Sequence, residues 1–203
     1  IEDNTIITGK RGRELNKRES YLKMNDFGSF NETFFVYDYI KPEISVMDHL
    51  DKVIIGNVSE TDVALIVDNK TIEEYLLTEK IKFSKIVKEQ DEINKKETTY
   101  INGASNEDDF NDIRRFLKKN NLNKNICVVD VSNHSACIST KSFIIKPTIE
   151  LKSSNISSYV NNTKGGSIVK IDNNLTLNEF KVYLSKLKYN NLEIVDLIDL
   201  IKE

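Results

Sequence analysis

The apolar run Val63-Ala64-Leu65-Ile66-Val67, which stops abruptly at Asp68 and Asn69, is the feature that most constrains the fold. A continuous apolar run of this length is typical of a strand that is buried on both faces, as in a parallel sheet covered by helices. Functional residues of such folds lie at the carboxyl ends of the strands. The sequence therefore predicts an α/β protein, and Asp68 is the first candidate for a functional residue.

Strand and helix signals alternate from about residue 53 onwards, which indicates parallel strands joined by crossover helices. We therefore expect residues 1–52 to form an N-terminal extended arm and residues 53–203 to form the α/β domain. Five further segments have the composition of strands: Ile81–Val87, Ile126–Val131, Phe143–Lys146, Ser167–Ile171 and Leu192–Val195.

Three helices have recognisable start signals. The segments Thr71–Glu74 and Thr176–Glu179 both fit the capping box, in which a Thr side chain and a Glu side chain satisfy backbone N–H groups of the first turn. Ser105 is expected to cap a helix that runs to Asn120. For the helix after the apolar run, Asn69 is an alternative cap to Thr71.

The charge balance excludes some classes of partner. The chain of 203 residues has 29 basic and 32 acidic side chains and a net charge of -3, which argues against binding of a nucleic-acid backbone. It contains no apolar stretch of about 18 residues, so we predict no membrane span.

The sequence begins at Ile1 rather than methionine, and we therefore expect a processed protein, without its leader, that is extracellular or associated with the cell envelope.

The two cysteines, Cys127 and Cys137, lie ten residues apart, one in a predicted strand and one in a predicted short helix. A link between strand and helix can bring them together as a disulfide, which would stabilise the fold by roughly 2–3 kcal/mol. The alternative is a pair of buried thiols. A metal site at this pair is not expected, because two cysteines alone do not complete the four-ligand set of a structural metal site.

In order and spacing, these elements resemble the polysaccharide deacetylase family, also called the NodB-homology domain or carbohydrate esterase family 4, over residues 50–203. Lys52–Asn57 followed by Val63–Asn69 is similar to the lead into the family's Thr-Phe-Asp-Asp motif. Tyr100–Ser105 resembles an Arg-Phe-Pro-Gly-Gly-Ser loop of bacterial members, and Gly165–Val169 resembles the start of the closing strand, helix and strand. The resemblance implies an irregular (β/α) barrel.

Members of this family remove an N-acetyl group from a glycan with a divalent metal, a water, an acidic base, an acidic metal ligand and a His-x-x-x-His pair. By resemblance, Asp68 takes the position of the base and Asn69 that of the acidic ligand, where an amide lacks the negative charge. The histidine pair is expected between Asn69 and Tyr100, and this sequence has no histidine there. Lys170-Ile171 replaces the final leucine-histidine motif, so the resemblance implies a degenerate site with no metal and no cofactor.

We therefore hypothesise a catalytically inactive, deacetylase-like protein of the bacterial cell envelope with a glycan-binding or scaffolding role, whose partner is a cell-wall glycan or an envelope protein. The candidate ligand-binding residues lie near predicted strand ends: Asp68, Asn69, Asn102, Asp130 and Asp172. The alternative is an active deacetylase of N-acetyl glycans or peptidoglycan with a rearranged metal site at Asp68, Asp130 and Asp172, because three carboxylates can bind a hard cation.

Overall fold

The structure is a computed structural model that describes residues 5–10, 12–42, 44–94, 99–128 and 134–202. The strands are β1 (Thr5–Thr8), β2 (Gly12–Leu15), β3 (Tyr37–Ile40), β4 (Val53–Asn57), β5 (Asp62–Val67), β6 (Ser84–Val87), β7 (Thr99–Asn102), β8 (Ile126–Val128), β9 (Phe143–Ile145), β10 (Ile149–Leu151), β11 (Ile168–Ile171) and β12 (Glu193–Val195). The helices are α1 (Lys17–Phe27), α2 (Lys70–Glu79), α3 (Glu107–Lys119), α4 (His134–Ser139), α5 (Ile156–Tyr159), α6 (Leu177–Tyr189) and α7 (Leu197–Ile201), with short 3₁₀ turns at Glu32–Phe34, Val46–Asp48 and Gln90–Glu92.

Ten of these strands form one curled parallel sheet in the order β1-β4-β9-β8-β7-β6-β5-β11-β10, with β12 as an additional partner of β5. β5 has three strand partners in this arrangement. On one side it pairs with β11, where Val67 lies opposite Ile171. On the other side β12 runs beside its first half and β6 pairs with it at Ile66. The predicted α/β fold with a barrel-like parallel sheet is confirmed.

Successive side chains of β5 point to opposite faces, and both faces are buried. Ala64 and Ile66 pack inside the curled sheet, together with Leu197 and Leu200 of α7. Val63, Leu65 and Val67 face outward and pack against α2 and α6. The continuous apolar run in the sequence thus reflects burial between an inner core and an outer layer of helices. A third cluster packs α3 and α4 against the strands β4, β6, β7, β8 and β9.

Hydrogen bonds also join β4 to the turn before β10 and to the turn before β11, which are not its neighbours in the strand order. The N–H of Asn57 donates to the carbonyl of Gly166 at 2.9 Å, and the hydroxyl of Thr148 donates to the carbonyl of Ile55 at 2.6 Å. Gly166 has a φ of +83°, and a Cβ at this position would lie 1.8 Å from the carbonyl oxygen of Asn57. Only glycine fits this contact, which explains the glycine pair Gly165-Gly166 before the strand.

The N-terminal arm contributes directly to the main sheet. Its strand β1 pairs in parallel with β4, with Thr5 opposite Val53, and forms one edge of the sheet. Val46 is fully buried in the inner core, and Lys10 forms an ion pair with Asp62 at the start of β5. In the remainder of the arm, β2 and β3 form a separate antiparallel pair, and α1 lies between them in the chain. All four side chains of β3 are exposed.

The structure corrects several local predictions. Asn69, not Thr71, caps α2, because its side chain accepts the N–H of Ile72. Asn106, not Ser105, caps α3. The arm is more regular than a polar, irregular sequence predicts, and β10 was not predicted because a three-residue strand after a proline leaves little signal. The capping box at Thr176 and Glu179 is confirmed. In the described segments, no helix has the length and apolarity needed to cross a bilayer.

Candidate functional site

A cleft of about 360 Å³ opens at the carboxyl end of β5. Its walls come from the turn after β5, the first turn of α2, β6 and the loop after β11. The lining residues are polar or charged: Asp68, Asn69, Lys70, Glu73, Lys85, Asn94 and Asn173. This is the end of the sheet at which barrels of this kind place their functional residues, so it is the candidate site.

Asp68 lies exposed at the rim of this cleft. Its backbone N–H donates to the carbonyl of Ile171 at 3.3 Å, which extends the pairing of β5 with β11 by one step. Among the residues that the structure describes, none forms a hydrogen bond or an ion pair with the carboxylate of Asp68. The carboxylate is therefore available to a ligand in the cleft.

Asn69 is held by hydrogen bonds at both ends of its amide. The side-chain oxygen accepts the N–H of Ile72 at 3.2 Å and caps α2. The side-chain nitrogen donates to three backbone carbonyls of the loop after β11, those of Asp172, Asn173 and Leu175, at 3.2, 3.2 and 2.8 Å. Asn69 thus joins α2 to the loop that leads into α6.

This geometry requires an amide at position 69. A carboxylate has no proton to donate, and it would face three carbonyl oxygens that all carry partial negative charge. By resemblance, Asn69 stands where the family has an acidic metal ligand. Its amide forms hydrogen bonds to three carbonyls that an ionised carboxylate could not form. Sequence analysis allowed for the cap at Asn69 but had no signal for the three carbonyl partners, which lie more than 100 positions away in the chain.

Asp172 lies at the end of the neighbouring strand. The register of Val67 opposite Ile171 places Asp172 beside Asp68, so the two predicted acids lie at adjacent strand ends. The carboxylate of Asp172 accepts the N–H of Asn174 at 3.2 Å and shapes the turn after β11. The third predicted acid, Asp130, lies outside the described residues, so the complete triad has no described geometry.

Asn102 occupies a different environment from the other candidates. It is buried, its amide nitrogen donates to the carbonyl of Phe110 at 2.9 Å, and its oxygen accepts the N–H of Ala104 at 3.2 Å. These bonds connect β7 to the start of α3. Asn102 does not line the cleft at Asp68.

Two residues that the sequence analysis missed form a wall of the cleft. Glu73 of α2 and Lys85 of β6 are an ion pair with a separation of 3.4 Å, and both side chains are largely buried. The only sequence signal for this pair was the position of Glu73 in the first turn of α2, which also favours an acid electrostatically. The pair balances one negative charge with one positive charge, so it adds no net charge to the cleft.

The described residues do not fit the metal centre that active members of the polysaccharide deacetylase family use. No group of three or more His, Cys, Asp and Glu side chains in the described ranges is placed to hold a metal ion. Of the two histidines, His49 lies in the arm, after the 3₁₀ turn at Val46–Asp48, and His134 begins α4. Neither is in the segment between Asn69 and Tyr100 where the family's pair would fall. We therefore derive no metal-dependent step for this site.

Cys127 of β8 and Cys137 of α4 are joined by a disulfide, with their Cα atoms 6.3 Å apart. Both cysteines are fully buried in the cluster between the sheet and α3. The bond connects the sheet to the helix that follows the undescribed segment 129–133. It is placed to support the fold and does not line the cleft.

Comparison with known proteins gives a consistent result for the fold. No family model and no curated protein matches the sequence. Among solved structures, this chain is similar to BA3943, a CE4 family pseudoenzyme from Bacillus anthracis, with a TM-score of 0.65 and 13% identity over 95% of this chain and 84% of that chain. A mutant of BA3943 with restored enzymatic activity aligns with a TM-score of 0.61 and 14% identity over 95% and 87% of the two chains.

A family 4 carbohydrate esterase from the same organism is similar over 77% of this chain and 89% of that chain, with a TM-score of 0.50 and 13% identity. The chain therefore has the fold of the family 4 carbohydrate esterases and of their pseudoenzyme relative. This agrees with the polysaccharide deacetylase type of barrel expected from the sequence. At this level of identity the likeness concerns the fold, and the activity has to be argued from the residues of the cleft.

Proposed function

We propose that this protein is a non-catalytic, polysaccharide deacetylase-like domain of the cell envelope that binds a glycan in the cleft at Asp68. The observation that carries the loss of catalysis is the hydrogen bonding of Asn69, whose amide donates to three carbonyls at the position where an acidic metal ligand is expected. The absence of histidine from residues 69–100 of the sequence supports the same conclusion.

The cleft offers hydrogen-bonding groups rather than an apolar lining. Asp68 provides an accepting carboxylate, whereas Lys70 and Asn173 provide donors, and all three line the same opening. Such a set suits a neutral ligand rich in hydroxyl and amide groups, because each of these groups both donates and accepts hydrogen bonds. A glycan of N-acetylated sugars has this chemistry. If the protein instead has a scaffolding role, the same cleft would bind an envelope protein.

The loss of catalysis is tested by metal content and turnover together. Protein purified without chelators is analysed for bound metal and incubated with chitin oligomers and with peptidoglycan in the presence of Zn²⁺, Co²⁺ or Mn²⁺. We expect no stoichiometric metal and no release of acetate. Metal-dependent deacetylation of either substrate would overturn the proposal.

The variant Asn69→Asp tests whether an acid at position 69 is sufficient for activity. A mutant of BA3943 has restored activity, but here the acid alone leaves the histidine pair missing. We therefore expect Asn69→Asp to show no deacetylation. Turnover by this variant would mean that other residues of the chain supply the missing metal ligands.

Glycan binding is tested by titration of N-acetylglucosamine oligomers into the protein, followed by calorimetry. We expect Asp68→Ala to weaken binding by at least about tenfold, since a hydrogen bond to a charged group contributes about 1.5 kcal/mol or more. Asp112→Ala, an exposed acid on α3, is the matched control and should bind as the wild type does. Equal binding by Asp68→Ala and wild type would place the glycan elsewhere.

One observation favours the alternative of an active enzyme with a rearranged metal site. Asp68 and Asp172 lie at adjacent strand ends, as that site requires. A stoichiometric divalent metal that is lost on both Asp68→Ala and Asp130→Ala would support this alternative. Retention of the metal in the Asp130→Ala variant would contradict the predicted triad.

A further inference from the structure

A second cleft, of about 480 Å³, lies at the opposite end of the barrel from Asp68. It is formed by the last turns of α3 and the loop that leads into β8. Because all strands of the main sheet run parallel, the start of β8 and the end of β5 lie at opposite ends of the barrel. Five residues line this cleft: Arg114, Lys118, Asn121, Asn123 and Asn125.

The lining of this cleft contains two cations, three amides and no acid. In the described part of the chain, neither Arg114 nor Lys118 takes part in an ion pair. The neighbouring Arg115 provides a contrast, since its guanidinium pairs with Asp112 at 3.1 Å. The cleft is therefore a positive site on a protein whose net charge is -3.

Arg114 has an unsatisfied donor within this site. Its Nε atom is buried and has no hydrogen-bond partner among the described residues. A buried N–H group without an acceptor is destabilising, more so when it is charged. The dipole of α3 accounts for the exposed Lys118 and Lys119 in the last turn. It does not account for a guanidinium that buries a donor with no acceptor to receive it.

Arg114 also lines a small inner cavity of about 10 Å³ beneath the cleft. A volume of this size is close to that of a single water molecule and is too small for an organic anion or a phosphate. A single water in this cavity would be an acceptor for the buried Nε–H, so an anion in the outer cleft must pair with the other N–H groups of the guanidinium, beside Lys118 and the three asparagines.

The loop that forms the floor is held in place by its own hydrogen bonds. Asn125 donates to the carbonyl of Lys141 at 3.0 Å and accepts the hydroxyl of Ser142 at 3.1 Å. Its backbone N–H donates to the side-chain oxygen of Asn123 at 2.8 Å. These bonds occupy the oxygen of Asn123 but use none of its amide hydrogens. The loop thus presents donors in a fixed geometry, which reduces the entropy lost on binding.

We propose that this cleft binds a compact oxyanion, a phosphate or a carboxylate group, through Arg114 and Lys118. The guanidinium provides several donors in one plane, which match two oxygens of such a group, and the ammonium of Lys118 adds a second charge. The site is independent of the glycan proposed at Asp68, because it lies at the other end of the barrel and shares no residue with that cleft.

The test is an NMR titration of the ¹⁵N-labelled protein with sodium phosphate and, separately, with sodium glucuronate, at constant ionic strength. We expect saturable shifts of the side-chain amides of Asn121 and Asn123 with at least one of the two. Tighter binding of phosphate would identify a phosphoryl group as the ligand, and tighter binding of glucuronate would identify an acidic sugar. No saturable shift with either anion would overturn the proposal.

Arg114→Gln should weaken binding at least about tenfold, whereas the matched variant Arg115→Gln should bind within about twofold of the wild type. Equal losses in both variants would indicate non-specific attraction and would contradict the proposed site. Lys118→Gln, which changes an exposed side chain, gives a second test if Arg114→Gln does not fold. We expect it to weaken binding about threefold or more, and unchanged binding would count against the site.

Discussion

The two ends of the barrel differ in where their unsatisfied polar groups lie. Among the described residues, the carboxylate of Asp68 at the carboxyl end has no partner but is exposed, whereas the Nε of Arg114 at the amino end has no partner and is buried. At the carboxyl end, where this fold places its functional residues, Asn69 has four hydrogen-bond partners and Glu73 is paired with Lys85. At the amino end, Arg114 buries a donor without an acceptor. The comparison teaches that the position of a residue in a fold does not define a site. A side chain that is fully used by the protein contributes stability, and one with unused donors or acceptors remains available to a ligand.

The strongest test of this comparison is Asn69→Asp. The change replaces an amide donor by a carboxylate that faces three carbonyls, so we expect the free energy of unfolding to fall by about 2–3 kcal/mol. Urea denaturation followed by circular dichroism measures the change. The control is Asp68→Asn, next to it in the chain but exposed, which should change stability by about 0.5 kcal/mol or less. Similar changes in the free energy of unfolding for the two variants would show that the hydrogen bonds between Asn69 and the loop after β11 do not stabilise the fold.

A smaller loss is expected for Asn102→Ala. This change leaves the carbonyl of Phe110 and the N–H of Ala104 without their bonds to a buried side chain. We expect a loss of about 2 kcal/mol. The exposed Asn174→Ala at the carboxyl end is the control, with an expected effect of about 0.5 kcal/mol or less. If Asn102→Ala instead weakened glycan binding and left stability intact, Asn102 would be a ligand residue as the sequence analysis predicted.

Thr176→Ala should have a still smaller effect. It removes one half of the capping box of α6, and the loss of such a cap typically costs about 1 kcal/mol. Thermal or urea unfolding of Thr176→Ala and Thr176→Ser gives the comparison. Serine keeps the capping hydroxyl and should stay within about 0.5 kcal/mol of the wild type. A serine variant as unstable as the alanine variant would assign the effect to the lost methyl group.

The smallest expected effect concerns the amino end and depends on pH. Burial raises the pKa of Asp62, but hydrogen bonds from Lys10, Thr61 and Ser59, together with the charge of Lys10, outweigh it and hold the pKa below its usual value of 3.8. The folded state thus favours the ionised carboxylate. The resulting stabilisation is present above pH 3.8 and is lost as the pH falls through the lower pKa of the folded state.

The free energy of unfolding of Asp62→Asn should therefore depend less on pH below about 4 than that of the wild type. Urea denaturation at a series of pH values between about 2.5 and 6 measures this difference. The variant Lys10→Met removes the ion pair but keeps the hydrogen bonds from Thr61 and Ser59, so its dependence on pH should lie between those of the wild type and Asp62→Asn. Identical pH profiles for the wild type and both variants would mean that this ion pair adds nothing to stability.

The sequence was sufficient to predict the parallel sheet because its central strands are buried on two faces and carry uninterrupted apolar runs. Capping boxes are also local signals, and the one at Thr176 is confirmed. The edge strand β1 was missed because its partner β4 lies about 50 positions away, and a four-residue strand has too few residues to show a distinctive pattern.

The cleft at Asp68 was predicted from one strand end, whereas its other walls come from side chains with no local signal. Lys85 lines the cleft because β6 runs beside β5, and the three carbonyl partners of Asn69 belong to a loop that the chain reaches only after β11. The second cleft could not be predicted from the sequence for the same reason. Arg114 becomes a candidate only because the structure shows that its buried Nε has no acceptor among the described residues.

The pairing of β5 has a consequence for folding of the chain during its synthesis on the ribosome. This strand is the most apolar of the sheet, yet its partners β11 and β12 follow it in the chain only after all the other strands of the sheet. A nascent chain that ends before residue 168 leaves one long edge of β5 without any partner, and β6 covers the other edge only near Ile66. Such an edge is prone to aggregation. The order of synthesis therefore makes the segment from β11 onwards the part of the chain that completes the barrel and protects β5.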